Sequence, residues 1–172
     1  MHQNGFTLVE LMVVVAIAIM VTTIGIPSYS AMIADIRSRS VIYRLSNTLM
    51  KARNEAVVHQ TFVSSCGLMA DNRCTSNWHL GVTTFIDPNH NGQLDSGETL
   101  LQEFRQELSG SLRWRNSAPR YLQFAANGRT RFQNGSFVYC DPEKKHRRKL
   151  VVYRQGRIRI ESDQDKIPVS EC

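Results

Sequence analysis

The sequence predicts an α+β protein: a long N-terminal helix, membrane-spanning in its first half, packed on an antiparallel β-sheet head. Three observations predict it. Residues Phe6 to Ile26 form an apolar run interrupted by one charge, Glu10. Beyond the run, Ile42, Leu45, Leu49, Ala52 and Ala56 recur three or four residues apart, the period of a helix with one apolar face. From Thr61 onward the chain breaks into short stretches rich in aromatic and β-branched residues, separated by turn formers. The 172 residues suit one head domain, and a chain 42% hydrophobic and 21% charged is foldable rather than disordered. The formal net charge of +6 excludes an acidic-tail protein and admits nucleic acid or anionic lipid as partners.

An apolar helix of about 20 residues, rising about 1.5 Å each, spans a hydrocarbon core of about 30 Å. The run is too long for the apolar region of a secretory signal, and no Ala-x-Ala cleavage site follows it. Glu10 costs about 2.5–3.5 kcal/mol in that setting, so it calls for a partner. After Pro27 the helical period continues to about His59, with Arg44, Lys51, Arg53 and Glu55 between the apolar positions. The organisation is therefore 6–26 membrane helix, 27–60 amphipathic continuation and 61–172 head. Strands are expected at Phe62–Cys66, His79–Ile86, Thr99–Phe104, Tyr121–Ala125, Thr130–Gln133, Ser136–Cys140 and Leu150–Arg154. Asn134-Gly135 reads as a hairpin turn and Gln155-Gly156 as a second reversal.

Asn4-Gly5-Phe6-Thr7-Leu8-Val9-Glu10, leading into the apolar run, resembles the leader of type IV pilins and pseudopilins. The resemblance implies a ladle-like fold and residues 1–5 as a leader cut after Gly5 by a prepilin peptidase, with methylation of the new terminus at Phe6. It implies that Glu10 pairs with the terminal amine of a neighbouring subunit, which supplies the counter-charge the buried carboxylate lacks. Pro27 corresponds to the kink common in these helices. The implied partners are other pilin subunits, the inner membrane and the processing enzyme. The implied location is a single-pass inner-membrane protein with a periplasmic head, then a filament.

Further motifs narrow the family. Trp78-x-x-Gly81-x-x-x-Phe85-x-Asp87, Asn89-x-Asn91-Gly92, Asp95-x-Gly97-Glu98, Gln123-Phe124 to Gly128, Phe137-x-x-Cys140 and Leu150-Val151-Val152 resemble the GspH/FimT group of minor pilins and pseudopilins. Cys66, Cys74, Cys140 and Cys172 show no CxxC or zinc-like spacing, and three pairings are open. In an extracytoplasmic head disulfides persist. Cys66–Cys74, closing a small loop, and Cys140–Cys172, tying back the tail, are the favoured pair, in line with the family.

Asp87 to Glu98 fits the EF-hand expression, with Asp87, Asn89, Asn91, Asp95 and Glu98 as the oxygen ligands a calcium ion would use. The flanks read as strands rather than helices, Pro88 stiffens the second position, and Asn, Asp and Gly favour turns in any case. The loop is therefore read as a turn, with no metal and no cofactor expected.

Charge concentrates near the C-terminus. From Arg113 to Arg159, thirteen Lys and Arg face only Asp141 and Glu143. Arg157-Ile158-Arg159-Ile160 alternates, which puts both guanidiniums on one side of an extended chain. Arg154, Arg147, Arg148, Lys149, Lys144 and Lys145 extend the strip, a phosphate-binding composition. Gly156-Arg157-Ile158-Arg159 resembles the GRxR motif of FimT-type pilins, which bind DNA during natural transformation, and Gly128-Arg129-Thr130-Arg131 echoes it. Tyr153 and Tyr139 are candidates for stacking on bases or for the core, and Asp163 and Asp165 are close enough to offset part of the charge. No HExxH, GxSxG or phosphate-binding glycine loop occurs, and His59, His79, His90 and His146 are scattered singles, so no enzymatic activity is expected. The reading is a minor type IV pilin that binds DNA non-specifically through its basic GRxR segment for uptake. The alternative is a structural tip or priming minor pilin, or a type II secretion pseudopilin, with no DNA role.

Overall fold

The computed structural model describes residues 7–104, 108–115, 120–161 and 166–172. Helix α1 covers Leu8–Met20 and helix α2 covers Ile26–Val58, joined by a π-helical turn at Val21–Gly25. Thr7 caps α1, its hydroxyl accepting from the Glu10 amide at 3.3 Å. The wide turn falls just before Pro27, whose nitrogen cannot donate to the ladder. Thr22 and Thr23 hydroxyls donate to the Ala18 and Ile19 carbonyls at 2.9 and 2.8 Å, serving oxygens at the irregular step. Nothing on α1 is buried, and the Leu8–Val58 helix is long and apolar enough to cross a membrane.

The chain divides into two compact units, 1–37 and 38–172. The second contains about the last six turns of α2 and, among the described residues, nine strands: β1 (Val63–Leu68), β2 (Cys74–Thr75), β3 (Val82–Ile86), β4 (Leu100–Phe104), β5 (Ser111–Arg115), β6 (Leu122–Phe124), β7 (Gly135–Cys140), β8 (Arg147–Val152) and β9 (Ile158–Glu161). All pair antiparallel in two sheets. One has the order β2-β1-β3-β4 with β6 also on β1, and the other runs β5-β7-β8-β9.

The helical stripe forms the centre of the core. Ile42, Leu45, Leu49, Ala52 and Ala56 are all buried, packed with Val63, Trp78, Phe124, Phe137, Leu150 and Val152. Trp78 meets Phe137 edge-on at 4.6 Å, and Trp114 lies on the same ring at 4.4 Å. Burying one such large apolar side chain stabilises by about 1.5–3 kcal/mol. Disulfides join Cys66 to Cys74 and Cys140 to Cys172.

Three expectations differ from the structure. Thr130–Gln133 is not a strand; Thr130 makes a single bridge to Phe124, and its hydroxyl donates to the Gln133 carbonyl, turning the chain instead of extending it. Asn134-Gly135 is not a hairpin tip: Gly135 opens β7, and β7 is already flanked by β5 and β8, leaving no edge for a preceding strand. The expected strand from His79 begins only at Val82, because Asn77 caps a 3₁₀ turn over Trp78–Leu80.

Candidate functional site

The basic residues fall into two groups, the first of them on the second sheet. On its outer face, β8 and β5 present Arg147, Lys149 and Arg115, and the Ile167–Cys172 segment lies across them. Arg147 donates through Nε to the Ile167 carbonyl at 2.8 Å and through Nη1 to the Lys144 carbonyl at 2.7 Å. Lys149 pairs with Glu171 at 3.3 Å, Arg115 donates to the Glu171 carbonyl at 3.3 Å, and Cys140–Cys172 pins the segment. Arg148 is buried on the inner face, opposite Tyr139. In the β7–β8 connection Lys145 pairs with Glu143 at 2.7 Å; their hydrogen bond holds the Glu143 carboxyl below its ordinary pKa and lifts that of Lys145. Lys144, in the left-handed region at φ 57°, stays exposed. Here most of the positive charge is engaged by the protein itself.

At the opposite end the arginines are available. β9 is the edge strand, and its alternation holds: Ile158 and Ile160 pack against the core while Arg157 and Arg159 are exposed. The Arg157 guanidinium sits 4.4 Å above the Tyr153 ring, so Tyr153 orients an arginine. Tyr139, by contrast, is buried and donates its hydroxyl to the Ser109 carbonyl. Among the described residues no carboxylate forms an ion pair with Arg129, Arg131, Arg154, Arg157 or Arg159. Asp163 and Asp165 lie outside the described residues.

The two Gly-Arg-x-Arg tracts, separated in sequence, meet in space. Gly156 takes φ 80° in the β8–β9 turn, closed by its amide donating to the Tyr153 carbonyl at 2.8 Å. A Cβ on Gly156 would fall 1.9 Å from the Gly128 carbonyl oxygen, so only glycine allows this approach. Arg53 of α2 reaches the same point, donating through Nε to the Gly128 carbonyl at 2.8 Å. The Thr130 amide donates to the Arg154 carbonyl at 3.2 Å, and the Arg131 amide to the Gln123 carbonyl at 3.1 Å. The first tract therefore stitches β6 of one sheet to the β8–β9 turn of the other. Beside this seam a groove of about 320 Å³ is lined by Arg129, Arg131, Arg154, Asn127 and Phe62. Sequence reasoning missed Arg53 and Phe62, because their places at the seam are set by tertiary contacts that leave no local pattern.

The Asp87–Glu98 loop is held by protein donors. Asp87 is buried and accepts from Ser64 Oγ at 2.6 Å, Gln123 Nε2 at 2.9 Å and the Asn91 and Gly92 amides at 3.1 Å. Asn89 and Asn91 both turn their amide nitrogens toward Asp95 at 2.9 Å, and Glu98 accepts the Asp95 amide. Burial raises the Glu98 pKa from its ordinary value, partly countered by that backbone hydrogen bond. This wiring suits a rigid turn: a cation would need the asparagine oxygens, not their nitrogens, to face inward.

Of the membrane-end residues, Glu10 lies exposed in the first turn of α1, while Gly5 and Phe6 lie outside the described residues. Residues 1–26 match the prokaryotic N-terminal methylation motif, and residues 42–156 match the family described as type II transport protein GspH. Comparison with curated protein sequences gives no match. Among solved structures, two crystal forms of the Pseudomonas aeruginosa type IV minor pilin FimU are similar, at 26% identity. Their TM-scores are 0.58 and 0.57, covering 76% of this chain and 96% and 92% of those. The minor pseudopilin EpsH of the Vibrio cholerae type 2 secretion system shares the fold at 12% identity and TM-score 0.50, covering 73% of this chain and 96% of that one. With the family match spanning more than half its residues, the N-terminal motif in place and the α+β pilin fold described above, the chain belongs to the GspH family of minor pilins and pseudopilins, anchored in the inner membrane before filament assembly.

Proposed function

We propose that the protein is a structural minor pilin of a type IV filament, entering near the tip and helping to prime assembly. The observation that carries the reading is the likeness to the minor pilin FimU, at 26% identity over nearly all of that chain, against 12% for the secretion-system pseudopilin. Gly5 is the proposed cleavage point, Phe6 the methylated terminus and Glu10 the partner of a neighbouring subunit's amine. The role is non-enzymatic: the peptidase and methyltransferase chemistry is done to this chain. Sheared surface filaments probed with an antibody to the head test the assignment. The protein is expected in the filament fraction, with filament number falling severalfold when it is deleted. Its absence from filaments, with loss of protein secretion on deletion, would place it in a secretion pseudopilus instead.

A second reading has its own observation in the five arginines around the Gly128–Gly156 contact, none of them in an ion pair among the described residues. They make the head a DNA-binding surface whose contacts go to phosphates, hence salt-sensitive and largely indifferent to sequence. Labelled duplex titrated with the full-length chain in zwitterionic detergent is expected to bind at low salt and weaken steeply as salt rises. Arg157→Ala/Arg159→Ala is expected to lose at least tenfold. No binding at low salt would leave the structural role alone.

A further inference from the structure

Resting on the DNA-binding reading, we infer that the two Gly-Arg-x-Arg tracts form one composite site, in which the groove lined by Arg129, Arg131 and Arg154 seats a backbone phosphate of the nucleic-acid strand. Arg157 and Arg159 then hold neighbouring phosphates from the β9 edge.

The groove has the chemistry for an anion. Three guanidiniums line it and, among the described residues, no carboxylate does. Its volume of about 320 Å³ equals that of roughly ten waters in the liquid, room for a phosphodiester and part of its sugar. Phe62 forms an apolar wall, its ring fixed edge-on against His90 at 3.9 Å. Guanidinium forks match phosphate oxygens two at a time, so a concave set of three gives a defined seat.

The backbone that carries these arginines is already ordered. The Arg129 amide donates to Asn127 Oδ1 at 3.0 Å, and the Arg129 carbonyl accepts from the Ala125 amide at 2.8 Å. Thr130, buried between the two arginines, holds the Arg154 carbonyl with its amide at 3.2 Å, while its hydroxyl donates to the Gln133 carbonyl. Binding therefore orders side chains only, which lowers its entropic cost. The glycines are the joint: Gly156 brings the second turn onto Gly128, and Arg53 locks the contact from the helix.

Fluorescence anisotropy of a labelled 30-base-pair duplex, titrated with the full-length chain in zwitterionic detergent at several salt concentrations, tests this. Arg129→Ala/Arg131→Ala is expected to weaken binding about tenfold and to lower the salt slope by about 0.9, the loss of one phosphate contact. Arg113→Ala/Lys51→Ala removes the same charge from exposed positions on β5 and α2 and is expected to change affinity less than twofold. Gly156→Ala removes no charge, yet by parting the two tracts it should weaken binding as much as the groove variant. Equal losses in the groove and control variants would overturn the inference in favour of diffuse charge. Full binding by Arg129→Ala/Arg131→Ala with loss in Arg157→Ala/Arg159→Ala would overturn the composite site and leave DNA binding standing. A wild-type chain that ignores DNA at low salt, or binds only vesicles containing phosphatidylglycerol, would end both.

Discussion

Arg147 and Arg159 occupy the same outer face of the same sheet, on neighbouring strands, yet their positions differ in kind. Arg147 holds two backbone carbonyls beneath the Ile167–Cys172 segment, whereas Arg159 points from the sheet edge with no ion pair among the described residues. The thirteen basic residues between Arg113 and Arg159 look like one patch in sequence. In three dimensions one end is closed by a disulfide-pinned segment and the other is left open around two touching glycines. A guanidinium that already serves backbone oxygens has fewer N–H groups left to fork around a phosphate, while an unengaged one offers all five. The count of charges bounds what the head can bind; their hydrogen bonds decide where.

Either end can be perturbed by substitution, and the largest effect should come from the closed one. Cys172→Ser opens a loop spanning 32 residues. By chain entropy this should cost about 3–4 kcal/mol in denaturant unfolding followed by tryptophan fluorescence. Hydrogen exchange should rise in Ile167–Cys172 and β8 and stay unchanged in α2. Unaltered exchange near the C-terminus would mean the segment is held by something other than the disulfide.

At the open end, Gly156→Val combines strained backbone with a collision against the Gly128 carbonyl. It should cost on the order of 2–3 kcal/mol in the same unfolding experiment. A loss below about 0.5 kcal/mol would show that the two turns do not depend on each other. Arg53→Ala is a gentler probe, removing one hydrogen bond to that carbonyl, with an expected loss of about 1 kcal/mol. The smallest effect belongs to the Lys149–Glu171 pair, both side chains about one-fifth exposed. Lys149→Ala should cost under about 1 kcal/mol, because Cys140–Cys172 still holds the segment. A larger loss would make the ion pair, rather than the disulfide, the main fastening.

How much of this was legible in the sequence depends on the range of the interaction. The stripe from Ile42 to Ala56 was legible because one helix face sets its own period whatever it packs against. Arg157 and Arg159 were placed on one side of an extended chain for the same reason, and Gln155-Gly156 marked its turn locally. Strand β5 went unread: Ser111-Leu112-Arg113-Trp114-Arg115 alternates, but its charges obscured the pattern that buries Leu112 against the core. Thr130–Gln133 was misassigned because strand propensity gives way when the Thr130 hydroxyl turns back to the Gln133 carbonyl and its amide finds the Arg154 carbonyl across the seam. The fates of Arg147 and Arg159 could not be separated at all. What divides them is the placing of Glu171 and the Ile167 carbonyl on one side and the Gly128–Gly156 contact on the other, all set by tertiary folding.

The most direct measurement is arginine footprinting of the full-length chain with phenylglyoxal, read by mass spectrometry with and without duplex DNA. The difference between the two ends predicts fast modification at Arg129, Arg154, Arg157 and Arg159, slow modification at Arg147 and Arg148, and protection by DNA confined to the fast group. Equal reactivity along the whole basic segment, or DNA protection centred on Arg147 to Lys149, would contradict it.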